Sequence, residues 1–246
     1  MSLEELIRNR EVWQKKTILR QVYQNEFFPL LAKYRVDGKH TLEVGGGPGF
    51  FKAFSPEVIS SDISVCSWLD LSANGEYLPF ETGKIDNVIV LDMLHHLGDP
   101  LKFLTEAERV LRKGGRIVMI EPWVTPFSYL IMRFFIPEGI DFSWKPGDVM
   151  VPLDKAIEKK PFDANQAVPT LLFTKYKADL AQIFPRMKVI KVERFALFAY
   201  LLCMGFREIS LLPASLYHLV QKFERHTKPL WSRLGAIKGL VVMEKI

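Results

Sequence analysis

"LEVGGGPGFF", Leu42 to Phe51, sets four glycines within five positions directly behind a short apolar stretch, HTLEVG. Glycine gives up more conformational freedom on folding than any other residue, so this density marks a backbone that must turn sharply or lie bare against a ligand. A P-loop requires Gly-Lys-Ser/Thr at the head of its helix, whereas Lys52 here follows Phe51 and precedes Ala53. A dinucleotide fingerprint counted from Gly45 and Gly47 calls for glycine at position 50, which is Phe50. The pattern left is an acid followed by alternate glycines: Glu43, Gly45, Gly47 and Gly49, with Gly46 between.

Outward from this turn, strands and helices alternate. FFKAFS reads as a short helix, and EVISSDI as a second strand ending at an acid. SVCSWLDLSANGEYL is too short and polar for a helix plus a strand, so one crossover helix is expected to be missing. IDNVIVLDML is a strand with consecutive apolar residues, as where both sheet faces are covered. DPLKFLTEAERVLRKGG predicts a helix opened by an acid-proline pair and stopped by the two glycines, and RIVMIEP a further buried strand. The N-terminal residues 3–35 have helical spacing. After Pro122 the chain is rich in proline and aromatic residues without a long periodic element, and it reads as an irregular, partly helical insertion. A helix KYKADLAQIF, a strand MKVIKVERF, a helical stretch from Phe195 to about Ile237 and a last strand GLVVMEKI follow. This order predicts an α/β layer fold.

Composition narrows the class. Of 246 residues, 48% are hydrophobic and 25% charged, the balance of a folded globular chain. The net charge of +5 comes from scattered Lys and Arg, with mild excesses near Arg8 to Arg20 and Lys222 to Lys238, so nucleic acid is not the expected partner. Two isolated cysteines, Cys66 and Cys203, exclude a disulfide framework and point to a reducing, cytoplasmic compartment. MSLEELIRNREVWQKK is charged and amphipathic, without the apolar core and small-residue cleavage site of a secretory signal, so it is not expected to act as one. The most apolar run, FALFAYLLCMGF, is too short for a bilayer, which needs about 20 residues, and is expected to form a buried helix or the wall of an apolar pocket.

Several segments in order resemble class I S-adenosylmethionine-dependent methyltransferases of the small-molecule branch. LEVGGGPGFF is similar to the family's first motif, and Asp62 falls where its ribose-binding acid stands. NGEYLPF, from Asn74, resembles DAxxLPF. IDNVIVLDMLHHLGDP and RVLRKGGRIVMIEP resemble the following strand, exit loop and next strand. The resemblance covers about residues 40–122, with weaker correspondence over 185–195 and 239–246. It implies a Rossmann-like three-layer sandwich: a seven-stranded, mostly parallel sheet with an antiparallel last strand beside the sixth, plus helical lid insertions. One methyltransferase domain over 1–246 is expected. It comprises an N-terminal helical segment (1–37), a cofactor-binding core (38–122), an irregular lid insertion (123–180) and C-terminal strands (181–246) with a helical insertion at 196–238.

The resemblance also implies a cofactor, S-adenosylmethionine, with S-adenosylhomocysteine as product. Gly45, Gly46, Gly47 and Gly49 would pass under its methionine and ribose. The Glu43 carboxylate would meet the ammonium, Asp62 the ribose hydroxyls, and Asn74 with the Gly75 N–H the adenine, while Leu91 and Asp92 complete the set. Asn74 stands where the family has an acid, and Asp70 is the second choice for that contact.

Methyl transfer is an in-line displacement that asks chiefly for positioning and exclusion of water, and for a base only when the acceptor must lose a proton. His95 and His96, leaving the strand toward the cofactor, are the candidate catalytic residues because imidazole titrates near neutrality. The competing role for one of them is packing or capping the next helix. Glu121 points at the same mouth. No metal is expected, since His40, His218 and His226 have no ligand spacing.

The expected function is therefore methyl transfer to a small molecule, of apolar, aromatic or lipid-like kind given the aromatic insertions. The alternative is a non-catalytic S-adenosylmethionine-binding or regulatory subunit of the same fold, favoured by Asn74 and the missing helix. A third reading, an NAD-dependent oxidoreductase, meets the obstacle of Phe50.

Overall fold

Val88, Ile89 and Val90 alternate between two packed faces of β4 (Ile85–Leu91). Val88 and Val90 join a core beneath α5 (Pro100–Val110), α7 (Ala167–Phe173) and α8 (Lys177–Ile183). Ile89 joins a second core beneath α2 (Thr17–Val22), α3 (Phe28–Lys33), α4 (Phe50–Phe54) and α9 (Phe198–Cys203). A strand covered on both faces has no need of polar alternation, which is why IDNVIVL reads as a continuous apolar run.

The computed structural model describes residues 2–136, 138–148 and 164–246. Part of the insertion expected over 123–180, residues 149–163, lies outside the described residues. The sheet runs β3-β2-β1-β4-β5-β7-β6. Its strands are β1 (Thr41–Val44), β2 (Ile59–Asp62), β3 (Leu71–Ser72), β4, β5 (Leu111–Pro122), β6 (Met187–Phe195) and β7 (Lys238–Lys245). The strands from β3 to β5 pair in parallel, and β7 lies antiparallel between β5 and β6. This is the Rossmann-like three-layer sandwich anticipated from the sequence. The order reverses at β1, whose neighbours are β2 and β4, so a crevice opens at the C-terminal ends of these strands.

No helix separates β2 from β3, in keeping with the short, polar segment between them. The glycine stop expected for α5 needs correction. Asp99 caps that helix, accepting from the Lys102 N–H at 3.0 Å, and Pro100 opens it, but it ends at Val110 rather than at Gly114 and Gly115. Fully buried Leu111 is drawn into β pairing with Ile85, and residues 112–115 bulge before pairing resumes at Arg116 opposite Asn87. The helical stretch expected from Phe195 to Ile237 is likewise divided, into α9 and α10 (Tyr217–Gly235). At the N-terminus α1 (Leu3–Lys15), α2, a π-helical turn at Tyr23–Phe27 and α3 succeed one another, and α6 (Pro126–Phe135) follows β5.

Candidate functional site

The glycines after β1 carry the turn into α4. Gly45, Gly47 and Gly49 all have positive φ, at 75°, 47° and 76°, where a side chain is strained. A Cβ at Gly45 would also come within 2.4 Å of Met93 Cγ. The turn is closed by the Gly49 N–H donating to the Gly46 carbonyl at 2.8 Å. It is strapped from outside: the Trp68 Nε1–H donates to the Gly47 carbonyl at 2.8 Å, and Arg10 of α1 donates to the Pro48 carbonyl at 2.6 Å while lying over the Trp68 ring.

Gly45, Gly46 and Gly47 line one end of a cavity of about 770 Å³, within the range of small-molecule pockets. Glu43, Asp62, Asn74, Gly75, Leu91, Asp92, His95 and His96 reach the same cavity. Gly49 does not line it and instead precedes α4 in the left-handed conformation. Asp70 is not among the lining residues either; it accepts from the Ser60 N–H and pairs with Lys52 at 2.8 Å.

Glu43 is buried and receives the Ser60 hydroxyl. Burial lifts its carboxyl to about 7, only partly opposed by that hydroxyl, so a cationic group entering the cavity would draw it back to the ionised form. Asp62 is pinned by one N–H on each oxygen, from Gly47 at 2.9 Å and Ser64 at 2.9 Å, leaving a lone pair on each for a ligand. The Asn74 side-chain oxygen already accepts the Glu76 N–H at 2.9 Å in a local turn, which leaves it one further lone pair.

The exit of β4 is organised by a buried carboxylate. Glu121 of β5 is fully buried; its Oε1 accepts from the Met93 and Leu94 N–H groups at 2.9 and 2.7 Å, and its Oε2 lies 2.6 Å from His95 Nδ1. Nδ1 is thereby the protonated nitrogen, and Nε2 turns to Glu138, 3.4 Å away. Burial alone would lower the His95 pKa, but Glu121 and Glu138 outweigh it and raise it to about 9. Burial would likewise raise Glu138, yet His95 and His96 bring it down to about 2. The two histidines therefore part company. His95 is 2% exposed and committed at both ring nitrogens, whereas His96 is more open, its Nε2 3.7 Å from Glu138 Oε1. His95, His96 and Glu138 offer ligand atoms within 4.8 Å of one another, a closeness that the sequence spacing did not suggest.

Residues 42–119 match the family described as "Methyltransferase domain". The resemblance to class I methyltransferases stands for this core. An uncharacterized methyltransferase of Mycobacterium sp. (strain JLS) is 31% identical over 106 residues, 37% of this chain and 42% of that protein. The matched stretch thus spans less than half the length of that relative. Among solved structures, a SAM dependent methyltransferase from Archaeoglobus fulgidus aligns with a TM-score of 0.52 at 17% identity, over 93% of this chain and 94% of that one. Geranyl diphosphate C-methyltransferase from Streptomyces coelicolor A3(2), in complex with Mg2+, geranyl diphosphate and S-adenosyl-L-homocysteine, aligns with a TM-score of 0.54 at 15% identity, over 90% and 77%. At such identities the two structures speak for the fold.

The far wall of the cavity comes from outside the matched segment, residues 42–119. Tyr23, Met132, Ile136, Tyr200 and Phe206 make it apolar, and Glu138, Gln166 and Lys238 give it polar points. Lys238 is buried, paired with Asp92 and 5.1 Å from the Tyr200 ring centre; burial would lower its pKa, but Asp92 and Glu121 hold it protonated. Gln166 donates to Glu138 Oε2 at 2.7 Å, and its own Oε1 is buried without a partner among the described residues. None of these three polar residues was singled out from the sequence. A lysine at the head of a buried strand was a usable signal for an ion pair, whereas Glu138 and Gln166 sit in aperiodic chain that offers none.

Proposed function

We propose that the chain is an S-adenosylmethionine-dependent methyltransferase whose acceptor is a small, largely apolar or aromatic molecule carrying an O–H or N–H group. One observation carries the reading: a single cavity holds a bare glycine turn with two carboxylates at one end and a histidine-carboxylate chain at the other. The cofactor fits the first end. The open lone pairs of Asp62 suit a vicinal diol, and buried Glu43 suits an ammonium. When bound, S-adenosylmethionine supplies an electrophilic methyl group on a sulfonium.

The protein's part is positioning, exclusion of water and, where the acceptor is protonated, removal of a proton. Tyr23, Met132, Ile136 and Tyr200 would enclose the acceptor's body. The unpartnered Gln166 Oε1 would accept from its polar hydrogen, which relieves an otherwise costly buried oxygen. His96 is the proposed general base. His95 is a positioning residue, since a ring protonated between Glu121 and Glu138 has no vacant lone pair with which to take a proton.

The test is heat stability with S-adenosylhomocysteine, which should rise as ligand exceeds its dissociation constant, followed by methyl transfer to a panel of phenols and amines. No stabilisation at millimolar S-adenosylhomocysteine, or equal stabilisation by NADH, would overturn the reading. Stabilisation without turnover of any acceptor would place the chain among binding subunits.

A further inference from the structure

α10 is amphipathic toward the core and carries a second apolar stripe on its outer side. Tyr217, Gln221 and Glu224 are turned inward. On the outer side, Leu219, Phe223, Leu230 and Leu234, at helical spacing, stand 67%, 56%, 80% and 61% exposed. Every exposed charge on this helix is positive: Lys222, Arg225 and Arg233. Its single acid, Glu224, is buried and accepts the Leu197 and Ala199 N–H groups at 2.7 and 3.0 Å. The neighbouring α6, whose Ile131 and Met132 pack with Trp231 of α10, repeats the composition. It exposes Leu130, Phe134 and Phe135, and Arg133 is its one charged residue.

From this face we infer that the protein docks on a membrane surface rich in anionic lipid, with α10 and α6 lying in the interface. Large apolar side chains held beside Lys and Arg, with no exposed carboxylate among them, match the apolar and anionic layers of such a surface. No helix among the described residues is long and apolar enough to cross a membrane, so the contact is peripheral. A second copy of the chain is the weaker occupant, because a two-fold contact would set Lys222, Arg225 and Arg233 against themselves. Met132 and Ile136 of the same α6 region line the cavity, so the surface and the cavity share a wall.

The inference is independent of methyl transfer, and its test reads only binding. The full chain is sedimented with phosphatidylcholine vesicles containing none or about 40% phosphatidylglycerol. It should pellet with the anionic vesicles alone and be released at high salt. Lys222→Ala with Arg233→Ala should weaken partition about 25-fold, at roughly five-fold per basic residue. Leu219→Ser with Leu230→Ser should abolish it, with unchanged melting temperatures because all four side chains are exposed. The inference is overturned by absence of binding to anionic vesicles, by variants that bind as the parent does, or by a dimer in sedimentation equilibrium that Leu219→Ser with Leu230→Ser dissolves.

Discussion

At one end of the cavity Glu43, the glycine turn and Asp62 come from two adjacent parallel strands and the turn between them, within about twenty residues of chain; at the other, Tyr23, Met132 with Glu138, Tyr200 and Lys238 come from four separate stretches. The first end is held by backbone geometry: positive φ values, strand ends and N–H groups on a carboxylate. The second is held by side-chain pairs such as Asp92 with Lys238 and Glu121 with His95. Backbone geometry can be written into a short motif, because it needs particular residues at fixed offsets. A wall of packed side chains needs only volume and apolarity, which many sequences supply.

This contrast can be broken by substitution. The largest effect is expected from His96→Ala, which should lower kcat by about 10² to 10⁴-fold on an acceptor that must lose a proton, while S-adenosylhomocysteine still raises the melting temperature. If ligand binding is lost as well, the two ends are not separable.

Gly45→Ala should do the reverse. The strained φ and the approach to Met93 cost about 1 to 3 kcal/mol, and titration calorimetry should show S-adenosylhomocysteine binding weakened by about 10 to 100-fold. A milder loss of about ten-fold is expected for Glu43→Gln, since a charged hydrogen bond becomes a neutral one. In the parent, binding near pH 6 should release a proton, because an ammonium beside Glu43 lowers a pKa that stands at about 7 in the free protein. Calorimetry in buffers of different ionisation enthalpy reads that proton, and Glu43→Gln should abolish it.

The free protein's stability should fall as pH rises. Glu43 and His95 both bind their proton more tightly folded than unfolded, at about 7 against 4.5 and about 9 against 6.5. Their contributions are whole below the unfolded values and are lost as pH passes the folded ones. The melting temperature should therefore drop by several degrees between pH 5 and 9, with Glu43→Gln flattening the lower limb only. Smallest of all, Arg10→Ala should cost about 1 kcal/mol by loosening the strap over the glycine turn, read as a modest fall in denaturant midpoint.

The helices and strands were legible where periodicity and punctuation agree. Asp99-Pro100 marked the start of α5 correctly, but Gly114 and Gly115 misled about its end, because pairing of Leu111 with Ile85 drew the chain into the sheet first. The placement of Glu43 and Asp62 at the cavity could be read because they stand in the last two positions of strands whose ends form the crevice. Glu138 could not be, since its role depends on a loop folding back onto a histidine more than forty residues away.

What the sequence alone determined was a doubly covered parallel sheet and a glycine turn with phenylalanine where a dinucleotide fingerprint has its third glycine, because runs such as Val88 to Val90 and the glycines at 45, 47 and 49 act through local burial and backbone preferences. What only the tertiary structure decided was the difference in surroundings between His95 and His96. Adjacent imidazoles are alike in a sequence, and they diverge only when the fold sets a carboxylate on each side of one ring and leaves the other facing the cavity.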